Sequence, residues 1–208
     1  MWQRVSIGWA LAVLLWLAPA QSFGFERIHL AAVMAGDEQQ DKPGQLPELR
    51  PADPFAKGVW TFQVYGLAVL GEYHQGEIYS GHIGFGYHLA DNFSVNLEGL
   101  GAKVDAQLDD DGVAGGLDLT FRWHLYRIER FSIYLEGGAG FQQATTKFPS
   151  DSHFTFRPQL GMGATLRIAE KTFLMGGVRW LHISNAGTSD INDGWDGEPV
   201  YLGLMFLF

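Results

Sequence analysis

From Lys57 to Phe208 the chain alternates apolar and polar residues with a period of two, and clusters of turn-forming residues interrupt the alternation. That is the pattern of half-buried β-strands, whose successive side chains point to opposite faces. It predicts strands at roughly 58–69, 77–89, 92–103, 114–127, 131–144, 154–168, 172–184 and 198–208. Eight strands in about 150 residues is the size of a small closed barrel.

The alternation also sorts the two faces. Trp60, Phe62 and Val64 alternate with Thr61, Gln63 and Tyr65, and Leu117, Leu119, Phe121 and Trp123 alternate with Asp118, Thr120 and Arg122. One face is apolar throughout and the other polar. Two features put the polar face inside. It carries Glu98, Asp118, Glu136, Arg122, Arg157 and Arg167, a balanced set that could pair within a narrow lumen, while the apolar face carries large aromatics near the strand ends, as a membrane-interface girdle does. The chain then ends Val200, Leu202, Leu204, Phe206, Phe208 on alternating positions, an ending that resembles the C-terminal insertion signal of bacterial outer-membrane barrels. The expected fold is all-β: an eight-stranded antiparallel transmembrane β-barrel of the bacterial outer membrane, spanning residues 57–208.

Connection lengths orient it. Ala90-Asp91, Ile128-Glu129-Arg130 and Ala169-Glu170-Lys171 are short, as periplasmic turns are, so the longer connections at 70–76, 104–113, 145–153 and 185–197 point outward. Ahead of the barrel, Arg4, the apolar run Ile7 to Leu17 and Ala18-Pro19-Ala20 read as a signal peptide over 1–20, because the run falls well short of the ~20 residues a spanning helix needs. Residues 21–56, rich in turn formers, read as a flexible leader.

Composition narrows the function. With 27 glycines and only 18% charged residues the chain suits close-packed strands, and zero cysteines exclude disulfides, thiolate metal sites and a cysteine nucleophile. A net charge of −9 argues against nucleic-acid partners, which need basic surface to displace phosphate counterions. No cofactor or metal is expected. Asp109-Asp110-Asp111-Gly112 lacks the alternating ligands and distal Glu of an EF-hand, and His82, His88 and His124 fall on the lumenal face, where hydrogen-bonded histidines are commoner than ligands.

The chemistry concentrates at the outer end of the seventh predicted strand. Leu174, Gly176, Val178, Trp180, His182 and Ser184 share one parity and Arg179 the other; since Arg179 belongs with the lumenal charges, His182 and Ser184 face lipid. Counting back by twos from Phe208 puts Glu198 on the outward face of the last strand as well. Outward residues on neighbouring antiparallel strands sit side by side, so the three can converge. A polar trio costs much less at the outer rim than the ~2–4 kcal/mol of a basic residue at midplane. There Ser184 could act as nucleophile, His182 as its base and Glu198 as the group fixing the imidazole tautomer, against an ester at the membrane surface. On spacing alone, interfacial polar residues at a strand end joined to a polar loop are the favoured explanation of the trio, because a His-x-Ser pair is a weak signal.

The run His182-Ile183-Ser184-Asn185-Ala186-Gly187, with Asn192-Asp193-Gly194 and an acid before a short final strand, resembles the outer-membrane lipid A 3-O-deacylases of the PagL type. The resemblance covers 57–208. It implies an eight-stranded barrel whose lipid-facing His, Ser and Glu remove the ester-linked acyl chain at position 3 of lipid A in the lipopolysaccharide of the outer leaflet. Carried onto this chain, it makes Ser184 the nucleophile, His182 the base and Glu198 the orienting acid, with Asn192 and the backbone N–H groups of Asn185 to Gly187 as oxyanion donors. Spacing from the histidine favours Asp196 as the acid. Spacing from the C-terminus and residue type favour Glu198, with Trp195-Asp196-Gly197 as a local insertion. The other readings are a phospholipid esterase and a non-enzymatic structural or adhesive barrel, and a homodimer is compatible with all of them.

Overall fold

The computed structural model describes residues 53–69, 77–105, 110–149 and 151–208. The predicted signal peptide and nearly all of the predicted leader lie outside them. The strands run β1 Trp60–Val69, β2 Glu77–Ala90, β3 Phe93–Asp105, β4 Gly112–Ile128, β5 Phe131–Ala144, β6 Phe154–Phe156, β7 Gln159–Ala169, β8 Thr172–Ile183, β9 Trp195–Gly197 and β10 Pro199–Leu207. Every pairing is antiparallel, and β10 closes the sheet by pairing with both β8 and β1. The short pieces complete two of the staves: β6 extends the β7 stave along β5, and β9 extends the β10 stave along β8. The result is a closed eight-stranded barrel with no helix among the described residues.

Proline sets both breaks. The predicted strand 154–168 divides at Arg157-Pro158, where Pro158 has no N–H to give to the ladder. Its carbonyl still accepts from His182 N at 3.0 Å, so the stave stays docked on β8. In the last stave the break falls at Glu198, just ahead of Pro199. Trp195-Asp196-Gly197, read from sequence as an insertion, is instead paired strand in continuous register: Leu181 faces Gly197 as Val178 faces Val200.

Burial confirms which face is inside. Thr61 and Gln63 are buried while Trp60 and Val64 are exposed; on β2, His82 is buried between Ile83 at 57% and Gly81 on the outer face. Exposed apolar side chains continue around β4, with Leu117, Leu119, Phe121 and Trp123. So large an apolar surface is untenable in water and is what a hydrocarbon core covers.

The lumen is filled in layers that can be followed along β8. Phe173 and Met175 belong to an apolar layer at the short-turn end, Arg179 to a polar middle, and Leu181 and Ile183 to an apolar layer at the long-loop end that also holds Phe148 and Trp195. In the middle, Glu136 accepts from Arg122 at 2.8 and 3.1 Å and from Arg179 at 2.7 Å, Glu98 accepts from Gln63 at 2.8 Å and from Tyr65, and Arg157 pairs with Asp118 at 3.3 Å. Phe55 closes the mouth at the short-turn end, stacked 3.9 Å from His124 and lying under the Arg127 guanidinium, which also binds Asp53 at 2.6 Å. The last residues of the predicted leader are thus folded onto the barrel.

Candidate functional site

The outer end of β8 passes between two short strands. On one side Ser184 and Phe156 form an isolated bridge, with Phe156 N donating to Ser184 O at 2.8 Å and Ser184 N to Phe156 O at 3.2 Å. On the other side β9 pairs in the register Leu181 to Gly197, His182 to Asp196 and Ile183 to Trp195. Pleating sends Leu181, Ile183, Trp195 and Gly197 inward, where all four are buried, and leaves Trp180, His182 and Asp196 outward. Ser184 has the same parity as His182 and is 8% exposed.

Directly opposite in that register, Nδ1 of His182 donates to Oδ1 of Asp196 at 3.1 Å. A carboxylate only accepts, so this bond holds the proton on Nδ1 and leaves Nε2 with its lone pair. Trp180 Nε1 donates to the same oxygen at 3.0 Å, and its ring lies stacked with the imidazole at 6.0 Å. The structure therefore brings Asp196, not Glu198, to His182. Continued register puts Glu198 across from Trp180, one outward pair farther from Ser184, where it is exposed. Counting from the C-terminus found the correct face but could not see that β9 is paired strand, and that pairing decides which outward acid meets the histidine.

Two glycines make room for the arrangement. A Cβ on Gly194 would lie 2.5 Å from Cε1 and 3.1 Å from Nε2 of His182, so the backbone there forms a wall against the imidazole edge. A Cβ on Gly197 would lie 2.1 Å from the Trp195 ring. Trp195 itself is fully buried and tilts against Phe148 with ring centroids 6.0 Å apart, which anchors β9 in the lumen while Asp196 stays outside.

The connection from β8 to β9 is built on Asn185, which is fully buried. Its Oδ1 accepts from Gly187 N at 2.8 Å, its Nδ2 donates to Ile191 O at 2.7 Å, and its backbone N donates to Asn192 Oδ1 at 3.1 Å. These bonds hold Ala186 and Gly187 in left-handed backbone, with φ of 54° and 77°. For Ala186 that conformation costs on the order of 1 kcal/mol or more. Of the expected oxyanion donors, the N–H groups of Asn185 and Gly187 are thus engaged within the loop. Because Asn192 accepts through Oδ1, its amide is oriented with Nδ2 left to donate.

One other cluster merits comparison. His82, Glu98 and Asp118 bring possible ligand atoms within 4.8 Å of one another inside the lumen. Arg179 at 3.5 Å from Glu98 and Arg157 at 3.3 Å from Asp118 already supply the countercharge a cation would bring, so these residues belong to the interior ion network.

Residues 55–204 match the family model described as lipid A 3-O-deacylase (PagL). The chain belongs to the PagL family. Its fold is similar to the crystal structure of the outer membrane enzyme PagL, with a TM-score of 0.55 and 15% identity over 68% of this chain and 97% of that one. It is also similar to the crystal structure of Neisserial surface protein A, with a TM-score of 0.54 and 11% identity over 72% and 96%. No curated protein matches the chain in sequence. Membership in the PagL family, with the barrel fold, places the protein in the bacterial outer membrane. Within this family member, the sequence pattern had located Trp180 only as a lipid-facing aromatic and had attached no role to Gly194 or Trp195. The i, i+2 spacing of Trp180, His182 and Ser184 was the available signal for the first; the other two depend on contacts across strands.

Proposed function

We propose that this PagL-family barrel is a lipid A 3-O-deacylase working as a serine esterase, with Ser184 as nucleophile, His182 as general base, Asp196 as the acid that orients it and Asn192 as oxyanion donor. The observation that carries the reading is the hydrogen-bonded His182–Asp196 pair on the outward face, with Ser184 two residues farther along the chain, just past the end of β8. In this scheme the Ser184 Oγ attacks the carbonyl carbon of the 3-O-ester and His182 Nε2 takes its proton. The oxyanion is met by Asn192 Nδ2, a preorganised donor of the kind worth a few kcal/mol at the transition state. Collapse returns the proton from His182 to the sugar 3-oxygen as the ester C–O bond breaks. Water, deprotonated by the same histidine, then releases the acyl chain from Ser184 as a 3-hydroxy fatty acid.

The location suits the substrate. An ester of an outer-leaflet lipid lies at headgroup depth, and the outer end of β8 is the part of the wall at that depth. The test is to incubate the refolded protein in detergent with purified lipopolysaccharide and weigh the lipid A by mass spectrometry, with a phospholipid substrate in parallel. Loss of one 3-hydroxyacyl chain by the parent and none by Ser184→Ala is expected. No loss, equal loss by both proteins, or cleavage confined to the phospholipid would overturn the reading.

A further inference from the structure

Asp196 is the exposed member of the site, with 58% of its side chain open, yet its Oδ1 accepts two hydrogen bonds, from His182 Nδ1 at 3.1 Å and from Trp180 Nε1 at 3.0 Å. An isolated carboxylate at a strand end would be hydrated and free to turn about χ1 and χ2. An aspartate also has the shortest reach of any carboxylate side chain, so meeting the imidazole from across a strand pair demands one rotamer. The indole supplies that constraint. Its N–H is a donor with no alternative tautomer, and its ring lies 6.0 Å from the imidazole at an interplanar angle of 21°. Trp is also suited to this depth, with an apolar body for lipid and a polar edge for the interface.

We infer that Trp180 is a positioning residue for the proposed deacylation: its indole N–H fixes the short Asp196 carboxylate against His182, and so holds the imidazole tautomer from the lipid side. This rests on the serine-esterase reading for its catalytic meaning, while the contact itself does not. Turnover should depend on Trp180 through Asp196 and not through substrate binding. A longer acid, able to reach the imidazole unaided, should remove that dependence.

The experiment is a double-mutant cycle on lipid A deacylation with Trp180→Phe and Asp196→Glu, each protein checked for barrel folding by its heat-modifiable migration in SDS gels. Trp180→Phe keeps an aromatic ring at the interface and loses the N–H together with the pyrrole part of the indole. It should lower kcat about tenfold with KM within about twofold, as expected for a hydrogen bond to a charged group. In the Asp196→Glu background the same change should move kcat by less than about twofold. Equal loss in both backgrounds, a loss confined to KM, or no loss at all would overturn the proposal. Indole 15N–1H spectra in detergent micelles give a readout that needs no turnover. The Trp180 N–H resonance, assigned by its absence in Trp180→Phe, should shift upfield in Asp196→Asn. If the parent deacylates nothing but this shift appears, the esterase reading fails and the contact stands; if the parent is active and the resonance does not move, the positioning role is refuted.

Discussion

Consecutive residues of β8 serve two polar clusters. Arg179 points into the lumen, is 1% exposed, and reaches Glu136 at 2.7 Å and Gln159 and Tyr65 at 2.9 Å. Trp180 and His182, on the neighbouring parity, point to the membrane and meet Asp196 there. The lumenal cluster sets Glu98, Asp118 and Glu136 against Arg122, Arg157 and Arg179, so its charges cancel where water is scarce. The outward cluster is organised by orientation instead: the Asp196 carboxylate holds the proton on His182 Nδ1, and the Asn185 N–H fixes the Asn192 amide through its Oδ1. Charges paired inside the lumen rigidify the barrel, whereas side chains held in one orientation on its outer face can act on a substrate.

The largest expected effect breaks the outward cluster alone. Ser184→Ala should reduce deacylation on the order of 10⁴-fold, and Asp196→Asn by about 10²–10⁴-fold, as when a triad loses its nucleophile or its tautomer-fixing acid. Neither should alter heat-modifiable migration or the urea midpoint in detergent. A Ser184→Ala protein that unfolds more easily, or that keeps its activity, would contradict the separation of the two faces.

The converse change lies across the wall. Arg179→Met leaves Glu136 with one arginine partner instead of two and takes the cation from beside Glu98. Removing one partner of a buried ion pair typically costs about 3–5 kcal/mol. Urea titration should show a lower midpoint, while the folded fraction deacylates lipid A within about twofold of the parent. Reduced turnover at unchanged stability would mean that the lumenal network acts on the outer site directly.

Much of this architecture is legible in the sequence because period-two alternation runs through the staves, unbroken along β8, so parity alone assigns Arg179 inward and His182 outward. What parity cannot supply is register between strands. Asp196 and Glu198 have the same parity, and only the pairing of β9 with β8, stabilised by an inward Trp195 that the sequence presents as one more aromatic in a loop, selects the first. The division of β6 from β7 escaped for a related reason. The alternation continues through Arg157-Pro158, and the proline interrupts the hydrogen-bond ladder without disturbing which side chains face lipid. The loop bonds of Asn185 were out of reach too, since they depend on a turn whose left-handed residues include an alanine.

Asn192 tests a finer division within the outward cluster, because it both accepts from Asn185 N and is the proposed oxyanion donor. Asn192→Ala should cost about 10²–10³-fold in kcat, the usual loss for one such donor. Asn192→Asp keeps an acceptor for the Asn185 N–H and removes the amide donor, so it should lose about as much. If Asn192→Asp stays near parental activity while Asn192→Ala does not, the side chain's contribution lies in shaping the loop.

The smallest expected effect carries the register. Glu198→Gln should change deacylation by less than about twofold, since an exposed charge at the level of Trp180 is largely screened and an outward pair away from His182. Comparison with Asp196→Asn gives this small number its meaning. A slip of β9 and β10 by one residue would turn both acids inward and destroy the cluster, but a slip by two would preserve every parity and put Glu198 opposite His182. The two registers therefore predict opposite rankings for the same pair of variants. A large loss from Glu198→Gln with a small one from Asp196→Asn would show the last stave shifted by two residues in the active protein. The expected ranking holds the wall at the register in which Trp195 fills the lumen.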